Sequence, residues 1–291
     1  MPEEMKETLY IIDISNMMHR AWHVHQHLST AAGMPTGAIY GTFMMLYKWI
    51  LDVKPSNILI CYDWQGAGSF RKEIYPQYKA NRTQVDAVSA QEMIIRRMLT
   101  ELGMNGLELP RYEADDLIAS GTKQFKGEYN IVIISGDKDL MQLVEPGVEM
   151  YDAMKRKTYH MVDVEEKFGV RPDQILDYLS IVGDAADNIP GVKGIGKKGA
   201  CELLEKYESL EKIYASLDDV KGAKRDKLEK SKDAAYMSKE LATLYDDDGV
   251  PSDFDIKFTP KNNKWLISLF QKLEFGDDTF LKLNNLWNMY K

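Results

Sequence analysis

The chain has 291 residues, enough for one large domain or for a core with a smaller helical addition, and its 44% hydrophobic and 28% charged content is that of an ordinary globular protein. No apolar run is long enough to span a bilayer, and Met1-Pro2-Glu3-Glu4 lacks the basic-then-apolar build of a signal peptide, so no membrane role and a cytoplasmic location are expected. The net charge of −8 argues against nucleic-acid binding through a plain basic excess, and Cys61 and Cys201, in no metal-like spacing, read as free thiols.

Taken in chain order, residues 8–14 predict a buried strand ending in an acid. Residues 36–52 predict a helix, with Ile39, Phe43, Leu46, Tyr47 and Ile50 at helical spacing. A second buried strand at 57–62 is followed at once by Asp63. Residues 113–125 fit a helix, and a third buried strand at 130–135 runs into Gly136-Asp137-Lys138-Asp139. Near-continuous apolar strands separated by helices imply an α/β fold with a central, mostly parallel sheet flanked by helices. After about residue 160 the chain reads mostly helical. The division expected is therefore an α/β core over 1–160 and a helical region over 161–291. The lysine-rich stretch 220–243 reads as a solvated helix.

The carboxylates carry the chemistry. Asp13, Asp63 and the Asp137/Asp139 pair each fall at the C-terminal end of a predicted strand, the edge where open parallel sheets bind ligands. Glu113, Asp115 and Asp116 open a helix, whose dipole tolerates anions. Asp184 and Asp187, at i and i+3, can share a helical face. Any one of these acids alone reads as a strand-end turn or a helix cap. Converged in one cleft, so many like charges need compensation, and hard cations such as Mg²⁺ or Mn²⁺ prefer oxygen ligands. Two such ions about 4 Å apart suit phosphodiester hydrolysis.

Arg71, Lys72, Lys79 and Arg82 are interleaved with Tyr75 and Tyr78. Basic groups neutralise phosphates and aromatic faces stack bases, which suits a single strand, although an exposed basic loop has the same composition. Gly191-Val192-Lys193-Gly194-Ile195-Gly196-Lys197-Lys198 precedes an apolar helix; such glycines let backbone approach a phosphate closely. His19, His23 and His27 recur every four residues, a spacing that reads either as a metal face or as a half-exposed helix face.

These stretches, in this order, resemble the 5′–3′ exonuclease and flap endonuclease family, above all the 5′-nuclease domain of bacterial DNA polymerase I and the phage 5′ nucleases. The matching segments are 35–41, 70–82, 112–116, 135–140, 183–196 and Leu273-Glu274-Phe275-Gly276. The resemblance implies a resolvase-like (PIN-like) core and a helical region with a helix–hairpin–helix whose hairpin is 191–198. It implies a metal-dependent 5′ nuclease that leaves 5′-phosphate and 3′-hydroxyl products in primer or flap removal. Asp63, Glu113, Asp115 and Asp137 would build one metal site with Asp13 close by. Asp139, Asp184 and Asp187, helped by Asp116, would build the second.

Residues from about 70 to 100 would form an arch over the site. There Lys79, aided by Arg82, would hold the scissile phosphate, and Tyr78 would stack on a nucleotide. Arg20 would contact phosphate, and the hairpin would grip duplex backbone and hold a K⁺ ion. The partners implied are DNA with 5′ flaps, ends or branches, RNA–DNA hybrids and a replicative polymerase, with the chain itself a monomer. Two features depart from the family: Ile14 replaces a frequent Gly, and the segment from Arg82 to Leu102 is short, with Thr83-Gln84-Val85 in place of a Pro-rich stretch. With no polymerase domain following, a stand-alone nuclease is expected. A catalytically silent branched-DNA binder of the same family and an RNA-only nuclease of related fold are the alternatives. The arch and hairpin stretches speak against the second.

Overall fold

A computed structural model describes residues 6–66, 68–82, 86–246, 249–251, 253–260 and 262–291. Met1-Pro2-Glu3-Glu4 and Thr83-Gln84-Val85 lie outside the described residues. Six strands form one sheet: β1 (Thr8–Asp13), β2 (Asn57–Cys61), β3 (Gly106–Leu107), β4 (Asn130–Ile134), β5 (Val148–Asp152) and β6 (Lys157–Tyr159), in the spatial order β3-β2-β1-β4-β5-β6. Every pairing is parallel except β5 with β6, which is antiparallel. The β5–β6 hairpin and the short β3 were not among the strands predicted from sequence.

Side chains alternate across a strand, and each central strand is apolar on both faces. Leu9, Ile11, Leu59, Cys61, Ile131 and Ile133 enter one core, while Ile12, Ile58, Ile60 and Ile134 enter the other. Each such buried aliphatic contributes about 1.5–3 kcal/mol. Helices α1 (Ile14–His25), α2 (Gly37–Val53), α3 (Arg71–Ile74), α4 (Asp86–Glu101) and α5 (Ala114–Phe125) connect the strands. Beyond the sheet come α6 (Met161–Phe168), α7 (Ile175–Val182), α8 (Lys197–Tyr207), α9 (Leu210–Ala215), α10 (Ala223–Lys230) and α11 (Lys232–Ala242). The last two helices, α12 (Lys264–Lys272) and α13 (Asp277–Met289), return to α2 and α4: the Phe270 ring meets Phe43 edge-on at 4.9 Å, and Trp287 is buried in the same cluster. Among the described residues no helix is long and apolar enough to cross a membrane.

The direction of the connections changes at β1, with β2 on one side and β4 on the other. The crevice beyond the carboxyl ends of these strands is where open sheets of this kind bind ligands.

Candidate active site

The strand ends deliver the acids to that crevice. Asp13 closes β1 and caps α1: its Oδ1 accepts from the Asn16 amide at 2.9 Å and its Oδ2 from the Ser135 hydroxyl at 2.7 Å. Asp63 lies just beyond β2 and accepts from the Ala114 amide at 2.9 Å, which ties the end of β2 to the first turn of α5. Glu113 is the N-cap of α5, with Asp115 in its first turn. After β4 the chain turns sharply, with Asp137 Oδ1 accepting from the Asp139 amide at 3.0 Å. Asn16 Oδ1 accepts from the Gly136 amide at 3.3 Å. A Cβ on Gly136 would stand 1.7 Å from the Arg20 guanidinium, which crosses the loop to reach Asp152 at 2.9 Å.

Clustering leaves an electrostatic signature. Burial, reinforced by Asp63 and Asp137, pushes the Asp13 carboxyl up to about 7. Burial and the Asp137 carboxylate raise Asp139 to about 8, and burial with Asp137 and Asp13 holds Asp115 well above the carboxylate range. Glu113 goes the other way: burial works against its charge, but the Lys79 and Arg71 cations outweigh it and hold the group low.

Among the described residues no three acid, histidine or cysteine side chains stand close enough to share one ion as they are placed. Protein cations lie on the acids instead. Lys79 Nζ is 2.9 Å from Glu113 and 3.7 Å from Asp187, Arg82 pairs with Asp187, and Lys138 Nζ is 2.9 Å from Asp184. The donor set still fits hard divalent ions: it is all carboxylate, burial and the neighbouring carboxylates raise the proton affinity of three members, and the buried Asp139 Oδ1 has no hydrogen-bond partner.

Four sequence expectations are corrected. Asp116 is fully buried and accepts two bonds from Arg71, at 2.6 and 2.8 Å, as well as the amides of Glu113 and Tyr245, so it is spent on structure and not on a metal. Arg71, 1% exposed, uses all of its guanidinium: Nε donates to the Leu241 carbonyl, Nη1 to Glu113 and Asp116, and Nη2 to Asp116 and the Thr243 carbonyl. It has no hydrogen left for a phosphate. Tyr78 is buried and donates its hydroxyl to Glu113 at 3.0 Å, so its ring presents no face to a nucleotide. Asp184 and Asp187 do not share a helical face. Gly183, with φ 75°, ends α7, and paired main-chain bonds between Asp184 and Ile189 close a short loop that carries both acids.

The buried pair makes a test. Arg71→Ala leaves the buried Asp116 without its guanidinium partner and is expected to cost about 3–5 kcal/mol of stability, measured by denaturant unfolding. A variant with unchanged stability and weakened DNA binding would return Arg71 to the interface.

Of the other basic and aromatic residues, Lys72 is exposed on α3, and Tyr75 is half-buried with its hydroxyl on Gln77 at 3.0 Å. Residues 183–196 join α7 to α8 as a hairpin. Gly191 is a pivot and not a phosphate contact: its amide is taken by Ser238 at 3.0 Å, and a Cβ there would meet the Gly183 nitrogen at 2.5 Å. Lys193, Gly194, Gly196, Lys197 and Lys198 are all exposed. His19 and His23 are exposed on α1, but that helix ends at His25, so His27 does not continue their face. Sequence reasoning missed Ser135, Asn16, Lys138 and Asp152. Ser135, Asn16 and Lys138 lie within or beside segments already singled out, whereas Asp152 closes the unpredicted β5; each has a partner remote in sequence.

Comparison with known proteins fits this geometry. The model of the 5′-3′ exonuclease N-terminal resolvase-like domain matches residues 8–169, and that of the 5′-3′ exonuclease C-terminal SAM fold matches residues 170–264. DNA polymerase I of Caldicellulosiruptor bescii is 39% identical over 278 residues, covering 92% of this chain and 32% of that protein. The chain thus spans about a third of the polymerase relatives it matches. A 5′-3′ exonuclease of Aquifex aeolicus is 36% identical over 275 residues, 92% of each chain. The fold is that of the T5 5′-exonuclease solved with bound divalent metal ions (zinc), with TM-score 0.69 at 20% identity over 98% of this chain and 100% of that one. It is also that of flap endonuclease-1 from Methanococcus jannaschii, with TM-score 0.64 at 17% identity over 98% and 93%. With both domain models matched in order along one polypeptide, the chain belongs to the 5′-3′ exonuclease family.

Proposed function

We propose that the chain is a divalent-metal-dependent 5′ nuclease that hydrolyses DNA phosphodiesters at 5′ ends and flaps, leaving a 5′ phosphate and a 3′ hydroxyl. The observation that carries this reading is the gathering of Asp13, Asp63, Asp115, Asp137 and Asp139 at one sheet edge, where burial and their mutual repulsion raise the proton affinity of Asp13, Asp115 and Asp139, with Lys79 and Arg82 paired to the adjoining Glu113 and Asp187. Asp63, Glu113, Asp115 and Asp137, with Asp13, would hold one Mg²⁺. Asp139, Asp184 and Asp187 would hold a second, and Mn²⁺ would substitute. When bound, the ions supply Lewis-acid activation of water and of the phosphodiester. The protein does the rest. Lys79 and Arg82 exchange their carboxylate partners for phosphate oxygens and so orient the scissile bond. Lys193, Lys197 and Lys198, on the hairpin before α8, hold duplex backbone without reading bases. Arg20 would contact a further phosphate.

On the same reading the hairpin would hold K⁺ through main-chain carbonyls. RNA–DNA hybrids would also be substrates, and the chain would work as a cytoplasmic monomer beside a polymerase. The test is an end-labelled 5′-flap DNA incubated with Mg²⁺, with EDTA, and beside a single-stranded control. Cutting at the flap base only with metal is expected. Tight flap binding without cutting would replace this reading with a silent branched-DNA binder.

Metal binding should also be coupled to protons. The raised carboxyls of Asp13, at about 7, and Asp139, at about 8, must ionise to bind an ion, so Mg²⁺ binding releases protons and its affinity rises with pH across this range. In the metal-free protein these groups are more basic than in the unfolded chain. Their contribution to stability is therefore full below the unfolded carboxyl range, at about pH 4, and is lost progressively as pH rises to about 7 for Asp13 and about 8 for Asp139. The gain in Tm on adding Mg²⁺ should thus be larger at pH 8.5 than at pH 6. A gain independent of pH would argue against binding by these acids.

A further inference from the structure

The turn that carries Lys79 and the loop that carries Asp187 run antiparallel, and three neutral hydrogen bonds cross between them. Asn188 Nδ2 donates to the Gln77 carbonyl at 2.8 Å, the Lys79 amide donates to the Asp187 carbonyl at 3.0 Å, and Asn81 Nδ2 donates to the Ala185 carbonyl at 2.7 Å. The arrangement is a short ladder whose two outer rungs are asparagine amides in place of main-chain N–H groups. Both segments are bent too sharply to pair as strands. Lys79 and Asn188 both sit in the left-handed region, with φ 55° and 59°. The turn closes on itself through Ala80 N to Gln77 O at 3.0 Å and Arg82 N to Lys79 O at 3.1 Å. Main-chain donors at 81 and 188 do not make these contacts; a short side-chain amide does, and asparagine also tolerates the left-handed backbone at 188.

We propose that Asn81 and Asn188 are positioning residues for cleavage. Together they fasten the cationic turn 77–82 to the acidic loop 184–189 and so fix where the Lys79 ammonium stands relative to the acids. The inference rests on the nuclease reading above. The ion pairs Lys79–Glu113 and Arg82–Asp187 are exchangeable, because an arriving phosphate or metal ion competes for both partners. The asparagine bonds join neutral groups, which neither competitor displaces. The clamp therefore persists while the charged side chains change partners, and the main chain keeps its register through the reaction. A displacement of about 1 Å in such a group can cost about 100-fold in rate.

The test uses Asn81→Ala and Asn188→Gly, the second keeping the left-handed backbone while removing the amide. Each should lower kcat by roughly 10- to 100-fold with KM and flap affinity changed less than about twofold, since no charge is lost. The double variant should lose less than the product of the two single effects, because both remove the same clamp. Asn81→Gln, which keeps a donor, should recover part of the rate, and Asn81→Asp should not. Independently of activity, hydrogen exchange at the Lys79 amide should be slow in the unsubstituted chain and fast in both variants. Unchanged exchange overturns the clamp. Fast exchange with unchanged kcat, or a rate loss matched by a fall in Tm, overturns the positioning role. An unsubstituted chain that cuts no flap DNA overturns the nuclease reading itself, and the exchange measurement then still decides the clamp.

Discussion

Asp115→Asn is expected to abolish flap cleavage, a loss on the order of 10³-fold or more, while flap binding stays within a few-fold of the unsubstituted chain. Asp115 sits in the first turn of α5, where burial first and the Asp137, Asp13 and Asp63 carboxylates next raise its proton affinity. Removing its charge withdraws an oxygen donor from the ions but touches no cationic DNA-facing group, which is why rate and affinity should separate. The substitution also relieves repulsion, so the metal-free variant should melt higher than the unsubstituted protein and gain less from Mg²⁺. Single-turnover cleavage, flap titration and melting with and without Mg²⁺ measure all three. Full activity in Asp115→Asn would remove this acid from the metal sites. Asp63→Asn should behave alike in rate, with a smaller gain in Tm, because the bond from the Ala114 amide passes from a carboxylate to a weaker neutral amide oxygen.

Lys79→Ala has the second largest expected effect, a fall in kcat of about 10²- to 10³-fold with little loss of duplex affinity. The ammonium lies 2.9 Å from Glu113 and 5.0 Å from the centre of the Tyr78 ring, held beside the acids and not spread on an open surface. It has two tasks at different stages. Without metal it neutralises Glu113 and Asp187, and with substrate it meets the phosphate. The variant should therefore be less stable than the unsubstituted chain in EDTA and nearly equal to it in Mg²⁺, where the ions take over neutralisation. Equal losses of rate and duplex binding would reduce Lys79 to one member of a general basic surface.

Much of this was legible in the sequence, for physical reasons that also mark the limit. Strands β1, β2 and β4 are apolar on both faces, so they read as uninterrupted runs, and the acids that follow them are placed by chain continuity alone. The β5–β6 hairpin escaped notice because Val148–Asp152 alternates buried and half-buried residues and β6 has three residues at the sheet edge. Helix α4 carried a readable pattern in Val88, Ile95, Met98 and Leu99, but the segment was assigned to the arch. Asp116 was misjudged because Glu113-Ala114-Asp115-Asp116 offers three acids in a row of four. The useful signal was spacing: Asp116 is three residues past the N-cap and bonds back to it as a capping box. Nothing local could assign Arg71, whose partners include a carbonyl 170 residues away. Asp184 and Asp187 did carry a local signal, since the preceding Gly183 ends α7 and decides between helix and loop.

The placement of β1 at the middle of the sheet has a consequence for biosynthesis. Of the strands of this sheet β1 is translated first, yet it is flanked on one side by β4, and the Ser135 hydroxyl that orients Asp13 comes from a residue 122 positions later. Until that stretch has been translated, β1 has an open edge and Asp13 has half of its hydrogen-bond partners. Closing so long a loop is slow compared with forming the helices in between. The nascent chain thus acquires its acid cluster late, after most of the surrounding helices can form. A chain translated only as far as α5 already carries Asp13, Asp63, Glu113 and Asp115, but lacks the strand and the Ser135 hydroxyl that complete their setting.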